Sequence, residues 1–355
     1  MSWRDVKPID CDIHVVVPHT GVLLPYLDDY WRDYVTVRGV RNLDMTSYPP
    51  TAPLTSRPDW RPATGHAGTD LALLRRHVFD ELGAQIAICN VVWGAQALHH
   101  HHLAAALCRA VNAWVAAEWL DREPRLRASI VVPWQNAAHA VEEIERCAPD
   151  RRFVQVLLLA MADQPLGREH YWPIYEAAAR HGLPIAIHAG SAYRHATTSL
   201  GWPSTLLEDY VAQASGFQNQ LMSLICEGAL SKFPDLKVVL VESGVTWLPA
   251  FMWRANKIWR AMRMETPWVD RPPAAIVRDQ VRLTLQPFDA PPDAAVVERV
   301  IEQIDSDRTI LFATDYPHWQ FDEDEVIPAG LSADLARRVL VDNALATYPR
   351  LESLS

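Results

Sequence analysis

The sequence has 355 residues, 49% of them hydrophobic and 21% charged, with a formal net charge of −10. That composition supports a large buried core, and the acidic balance argues against a nucleic-acid binder, which needs a basic face, and against a polybasic membrane anchor. Cysteines 11, 89, 108, 147 and 226 form no CxxC pair, so they read as free thiols of a reducing compartment rather than a disulfide framework or a zinc cluster.

In chain order, Met1–Asp10 is charged and has no long apolar run, so no secretory signal is expected. No stretch reads as the ~18–20 apolar residues of a membrane span, and the cytoplasm is the expected location. Eight short apolar runs follow: Ile9–Val17, Ala84–Trp93, Leu126–Pro133, Phe153–Ala160, Leu183–His188, Lys237–Glu242, Val281–Pro287 and Thr309–Thr314. Their Val, Ile and Leu content suits strands buried on both faces. Between them, apolar residues at helical spacing predict helices over Leu98–Leu120, Ala137–Cys147, Tyr171–Arg180, Gln220–Lys232, Pro292–Ile304 and Ser332–Val341. The alternation predicts an α/β chain closed as a (β/α)8 TIM barrel, one domain over residues 1–355. An open doubly wound sheet fits less well, because no GxGxxG follows the first run. Arg38–Gly68 breaks the rhythm with Pro49, Pro50, Pro53, Pro58 and Pro62. Residues 39–68 are therefore an insertion, either a cover for the catalytic mouth or a plain surface loop. Met264–Pro273 is a second proline-rich connection, between the sixth and seventh runs.

Asp12 and His14 are two residues apart in the first run, so in a strand they share one side. Two such groups inside a barrel pack poorly; a metal explains them, as does a simple Asp–His hydrogen bond. The fifth run ends in His188 and the eighth in Asp315. Each alone reads as a core histidine or a turn cap. Together they put ligand-type residues at the strand ends where barrel active sites form. Imidazole with carboxylate suits zinc, manganese or iron. Glu242 closes the sixth run as an extra ligand, a general base, an orienter of bound water or a structural carboxylate. Arg194 and His195, just past the fifth run, and His318 are candidate substrate contacts. Trp247, with Trp93 and Trp319, offers an aromatic wall for a planar substrate or plain packing. His99–His102 is a run of four histidines that reads as a solvated helix start, able to bind metal adventitiously.

The motifs Asp12-Ile13-His14, Ile187-His188-Ala189-Gly190 and Ala313-Thr314-Asp315-Tyr316-Pro317-His318, with Phe233-Pro234-Asp235-Leu236-Lys237 and Asp342-Asn343-Ala344, resemble the amidohydrolase-related family, which includes aminocarboxymuconate semialdehyde and resorcylate decarboxylases. The resemblance spans nearly the whole chain. It implies metal ligation by His14, His188 and Asp315, with Asp12 at the variable first-ligand position, and a homo-oligomer, dimer or higher. The decarboxylases of that family end strand six with a histidine, where this chain has Glu242. Two-metal members carry a lysine on strand four, and the fourth run has none. The expectation is one divalent metal per chain, zinc first, then manganese or iron. The expected activity is hydrolysis of a small carboxylate-bearing, aromatic or cyclic substrate by a metal-activated water, with Asp315 and Glu242 as catalytic carboxylates. The alternative is a non-oxidative decarboxylase of an aromatic or unsaturated acid. A third reading is a barrel that binds a small molecule without catalysis.

Overall fold

A strand covered on both faces has no polar side to alternate with, and all eight apolar runs behave this way. The computed structural model describes residues 6–43, 55–192, 194–318 and 326–351. Its strands are β1 (Ile9–Ile13), β2 (Ile86–Cys89), β3 (Leu126–Val131), β4 (Phe153–Met161), β5 (Ile185–Ser191), β6 (Val238–Val241), β7 (Val281–Thr284) and β8 (Ile310–Leu311). All nine residues of β4 are buried. The strands pair in parallel in sequence order from β1 to β8. The seam between β8 and β1 is closed by backbone bonds, Cys11 N to Phe312 O at 2.9 Å and Asp315 N to Asp12 O at 3.1 Å. The predicted (β/α)8 barrel is therefore the fold.

Strand β8 is shorter than its predicted run because a side chain replaces the regular ladder. Asp10 accepts from Thr314 N at 3.0 Å and from Thr314 Oγ1 at 2.7 Å. The chain beyond Leu311 is thus held to β1 by a carboxylate, and it is free to turn at Asp315.

Helix Ala137–Cys147 matches its prediction, and Trp172–Arg180 and Ala294–Ile304 start one or two residues late. Helices Asp29–Arg38, Leu71–Leu74 with its continuation Arg75–Glu81, Leu248–Met262 and Pro273–Gln280 escaped the periodicity. The predicted Gln220–Lys232 helix is the last third of a 21-residue helix, Leu206–Cys226, followed by Ala229–Lys232. Its real start is the capping box Thr205/Glu208, and exposed Leu207 and Val211 obscure the apolar stripe there. One expectation is corrected on composition. His101–Leu120 is long and apolar enough to cross a membrane, with mean hydropathy 1.2, but 61% of that window is buried inside the protein. An outer barrel helix squeezed between strands and a neighbouring helix needs that apolarity for packing.

Of the insertion, residues 39–43 and 55–68 are described and 44–54 lie outside the described residues. Residues 55–68 lie against the ends of β8 and β1. Ser56 pairs with His318 in an antiparallel bridge, and Arg57 N donates to Pro317 O at 2.9 Å. Gly68 packs so close that a Cβ would come within 2.8 Å of His14 O. Trp60 stacks on His77 and lies 5.0 Å from the Tyr316 ring.

At the other end of the barrel Glu123, 3% exposed, ties the entry of β3 to the outer shell. It accepts from Arg75 Nε and from Arg125 Nε, both at 2.8 Å. Arg125, then Arg75, hold its carboxyl down at about 2 against the opposing effect of burial. A depressed carboxyl contributes stability that is complete above its ordinary 4.5 and is lost as pH falls toward 2. Glu123→Gln is expected to lower unfolding free energy by about 1–3 kcal/mol at neutral pH. Urea melts should show the gap to wild type closing between those two pH values; a gap that persists at the acid end refutes the assignment.

Candidate metal centre

Parallel strands deliver their last side chains to one end of the barrel, and β1, β5, β6 and β8 deliver titratable ones. Asp12 and His14 project inward from β1, and His188 from β5. The ligand-type atoms of Asp12, His14 and His188 all lie within 4.8 Å of one another, as do those of His14, Asp315 and His318. His14 Nε2 is 3.0 Å from Asp315 Oδ1 and 3.8 Å from Asp12 Oδ1. His188 Nε2 is 3.6 Å from Asp12 Oδ1, beyond a hydrogen bond. The structure thus brings Asp12, His14, His188 and Asp315 into one buried cluster, with His318 at its edge.

The turns that aim these groups are strained. Among the described residues four non-glycine residues have positive φ, and three follow consecutive strands at the mouth: Glu242 (61°), Asp289 (65°) and Asp315 (57°). Such backbones cost free energy and concentrate at functional sites. Glu242 is held there by its own N–H, which donates to Thr284 Oγ1 at 2.9 Å. Its carboxylate reaches His188 Nδ1 at 3.7 Å. The next turn must be glycine, because a Cβ on Gly244 would fall 2.0 Å from Asp289 Oδ2.

The electrostatics follow from burying several charges together. Burial disfavours the charged form of His188, but Asp12 and Glu242 outweigh it and raise the ring to about 9. His318 rises to about 9 against burial because Asp315 lies 2.8 Å away. Burial would raise Asp315, yet His318 and His14 hold it far below the ordinary carboxylate range. Glu242 is pushed up by burial first and then by the Asp315 charge. His14 goes down, through burial.

Three buried atoms in the cluster have no hydrogen-bond partner among the described residues: Asp12 Oδ2, Asp315 Oδ2 and His188 Nε2. Orphaned buried acceptors are costly. The His188 ring is oriented by Nδ1, 2.8 Å from Ala189 O, so that Nε2 faces inward. A ring nitrogen turned inward by a backbone carbonyl, beside two carboxylate oxygens with nothing to accept from, is the donor set of a divalent cation. The residues fit one such ion.

The other candidates fall around this cluster. Arg194 is already engaged, Nε with Asp163 at 2.7 Å and Nη2 with Leu98 O at 3.0 Å, and its Nη1 is buried without a partner. Both ring nitrogens of His195 face backbone carbonyls, Ala162 O and Ala196 O. Trp247 donates to Ser243 O and Gly244 O on the Glu242 turn, Trp93 is buried, and Trp319 lies outside the described residues. His100 accepts from Leu103 N as a helix cap, and His102 faces His139, so neither is in the cluster. Sequence reasoning passed over Asp289 and also Asn90, whose Nδ2 donates to Asp12 Oδ1 at 2.8 Å. The only signal for Asn90 was a polar residue interrupting the apolar run Ala84–Trp93.

The family model described as Amidohydrolase matches residues 9–350. A gamma-resorcylate decarboxylase of Rhodococcus jostii is 25% identical over 216 residues, which span 58% of this chain and 63% of that enzyme's length. Two solved structures show the same fold. An amidohydrolase from Mycobacterium avium subsp. paratuberculosis superposes with TM-score 0.73 at 21% identity, over 97% of this chain and 98% of that one. A 5-carboxyvanillate decarboxylase from Novosphingobium aromaticivorans, in complex with manganese and 4-hydroxy-3-methoxy-5-nitrobenzoic acid, superposes with TM-score 0.72 at 18% identity, over 98% and 97%.

Elemental analysis of stripped and manganese-reloaded protein, washed to clear the His99–His102 run, is expected to give about one equivalent per chain. His188→Ala should lose that equivalent. Retention of metal by the variant, or about two equivalents in wild type, would show that the cluster is misassigned.

Proposed function

The chain belongs to the amidohydrolase family, and from that premise we propose that it is a divalent-metal-dependent, non-oxidative carboxy-lyase for an aromatic acid bearing a hydroxyl beside its carboxylate. The observation that carries this reading is the buried set Asp12, His14, His188 and Asp315 with its orphaned acceptors, next to the hydrogen-bonded pair Asp315–His318. The matched decarboxylase supports the reaction class. Hydrolysis, preferred from sequence because Glu242 stands where those relatives have histidine, becomes the second reading. Manganese and zinc both suit the ligand set. His14, His188, Asp315 and Asp12 would hold the ion.

When bound, the cation supplies an electrophilic anchor for the substrate carboxylate and adjacent oxygen. The remaining chemistry belongs to side chains. His318 is the most exposed of the cluster, with 20% of its side chain open, against 8% for Glu242 and none for Asp315. Its Nδ1 is fixed by Asp315, so the ring keeps one orientation while exchanging protons with the mouth. It donates a proton to the ring carbon that carries the carboxylate. The bond from that carbon to the carboxylate then breaks, its electron pair restores the aromatic ring, and CO2 leaves. Solvent returns the proton to His318. Glu242 lies behind His188 and keeps the site's charge balanced as the proton moves. Asp289 and Trp247 line the mouth beside the Glu242 turn. The described part of the insertion, paired with His318 through Ser56, covers the opposite side, and the single domain carries the whole site.

Stripped protein reloaded with manganese is expected to release CO2 from 2-hydroxybenzoates with added ring hydroxyls, and to leave amides, esters and lactones intact. His318→Asn should cut turnover by about 100-fold or more, the scale of a lost general acid, while keeping the metal. Hydrolysis of an ester or amide without CO2 release would favour the second reading. Loss of metal from His318→Asn would make His318 a ligand instead.

A further inference from the structure

Strands β2, β3 and β4 contribute no metal-ligand side chain, yet each supplies one buried polar residue to a chain that ends at Asp12: Asn90 just past β2, Ser129 on β3 and, in register with it, Gln155 on β4. All three are at most 2% exposed. Barrel interiors at this level are ordinarily filled by branched apolar side chains, and a buried polar chain is no more stable than an apolar layer unless every link is made. The links run in one direction and are all made except at the far end, where Gln155 Oε1 is buried without a partner among the described residues. Gln155 Nε2 donates to Ser129 Oγ at 2.9 Å and to Asn90 Oδ1 at 3.2 Å. Ser129 Oγ also donates to Asn90 Oδ1. With its oxygen held by two donors, the Asn90 amide can present only its nitrogen to Asp12, and it donates to Asp12 Oδ1 at 2.8 Å.

We propose that Asn90, locked by Ser129 and Gln155, is a positioning residue for the metal ligand Asp12: it holds Oδ1, the oxygen nearest His14 Nε2 and His188 Nε2, and so fixes the plane of the whole carboxylate. The observation from the other end is that Oδ2 is buried and has no partner. Aspartate has a short arm, so a carboxylate at this position cannot swing to find its own geometry. The three strands without ligands supply the orientation that the arm lacks. This inference rests on the metal-binding part of the proposed function and is independent of the reaction class.

The test is the dissociation constant for Mn2+, read by chelator competition on stripped protein, beside thermal melts of the same samples. Asn90→Ala is expected to raise that constant about 10–100-fold, and Ser129→Ala, which frees the Asn90 amide to turn, to raise it by a smaller factor. Ile88→Val is the control. It trims a fully buried apolar side chain two residues along the same stretch and should leave the constant within about twofold of wild type, because it touches no orienting bond. An Asn90→Ala constant equal to wild type overturns the proposal, and so does an Ile88→Val loss as large as that of Asn90→Ala. If Asn90→Ala does not fold, an unchanged constant in Ser129→Ala overturns it. Wild type that takes up no Mn2+ removes the metal reading and this inference together. Wild type that binds Mn2+ but releases no CO2 fails the activity alone, with Asn90 judged by the same constants.

Discussion

Two carboxylate oxygens and one imidazole nitrogen, Asp12 Oδ2, Asp315 Oδ2 and His188 Nε2, lie buried around His14 at the barrel mouth with no hydrogen-bond partner among the described residues. Burying such acceptors together is among the more expensive things a fold can do, because low-dielectric surroundings strengthen their mutual repulsion and remove the water that would satisfy them. A cation reverses the sign of that interaction. Much of the local structure is arranged so that these atoms cannot escape one another. The Asp10–Thr314 bonds pin β8 to β1, the left-handed backbone at Asp315 turns its carboxylate inward, and Ala189 O fixes the His188 ring.

The strain at the mouth follows a pattern. Glu242, Asp289 and Asp315 follow β6, β7 and β8 and all sit in left-handed conformations that aspartate tolerates better than glutamate. Each places a carboxylate where the strand's own geometry would have sent it elsewhere. Glycine is needed at 244 for the same reason, since the Asp289 carboxylate takes the room a side chain would fill. Stability is given up locally at three consecutive strand ends.

The replacement of a strand-six histidine by Glu242 weighs less in three dimensions than it does in sequence. A histidine reaches the same cluster from the next turn but one, as His318, 2.8 Å from Asp315 and in ring contact with His14 at 4.7 Å. Proton chemistry needs an imidazole near the reacting carbon and a path to solvent, and strand of origin does not matter for either.

Sequence alone determined the barrel, because eight doubly buried strands must read as eight apolar runs, and the period of the intervening segments is independent of context. It also marked Asp12, His14, His188 and Asp315, since ligand-type residues at the ends of such runs are chemically out of place. It did not determine helix Leu248–Met262, whose exposed Trp253 and Ile258 blur its stripe, nor the two-residue length of β8, which depends on the Asp10 carboxylate from a strand about 300 residues away in the chain. The bonds that join Asn90, Ser129 and Gln155 were invisible for the same reason. A polar residue near a strand end has no meaning until closure of the barrel sets it against its neighbours. Residue types and local periods are written along the chain, but which side chain meets which is fixed only when β8 returns to β1.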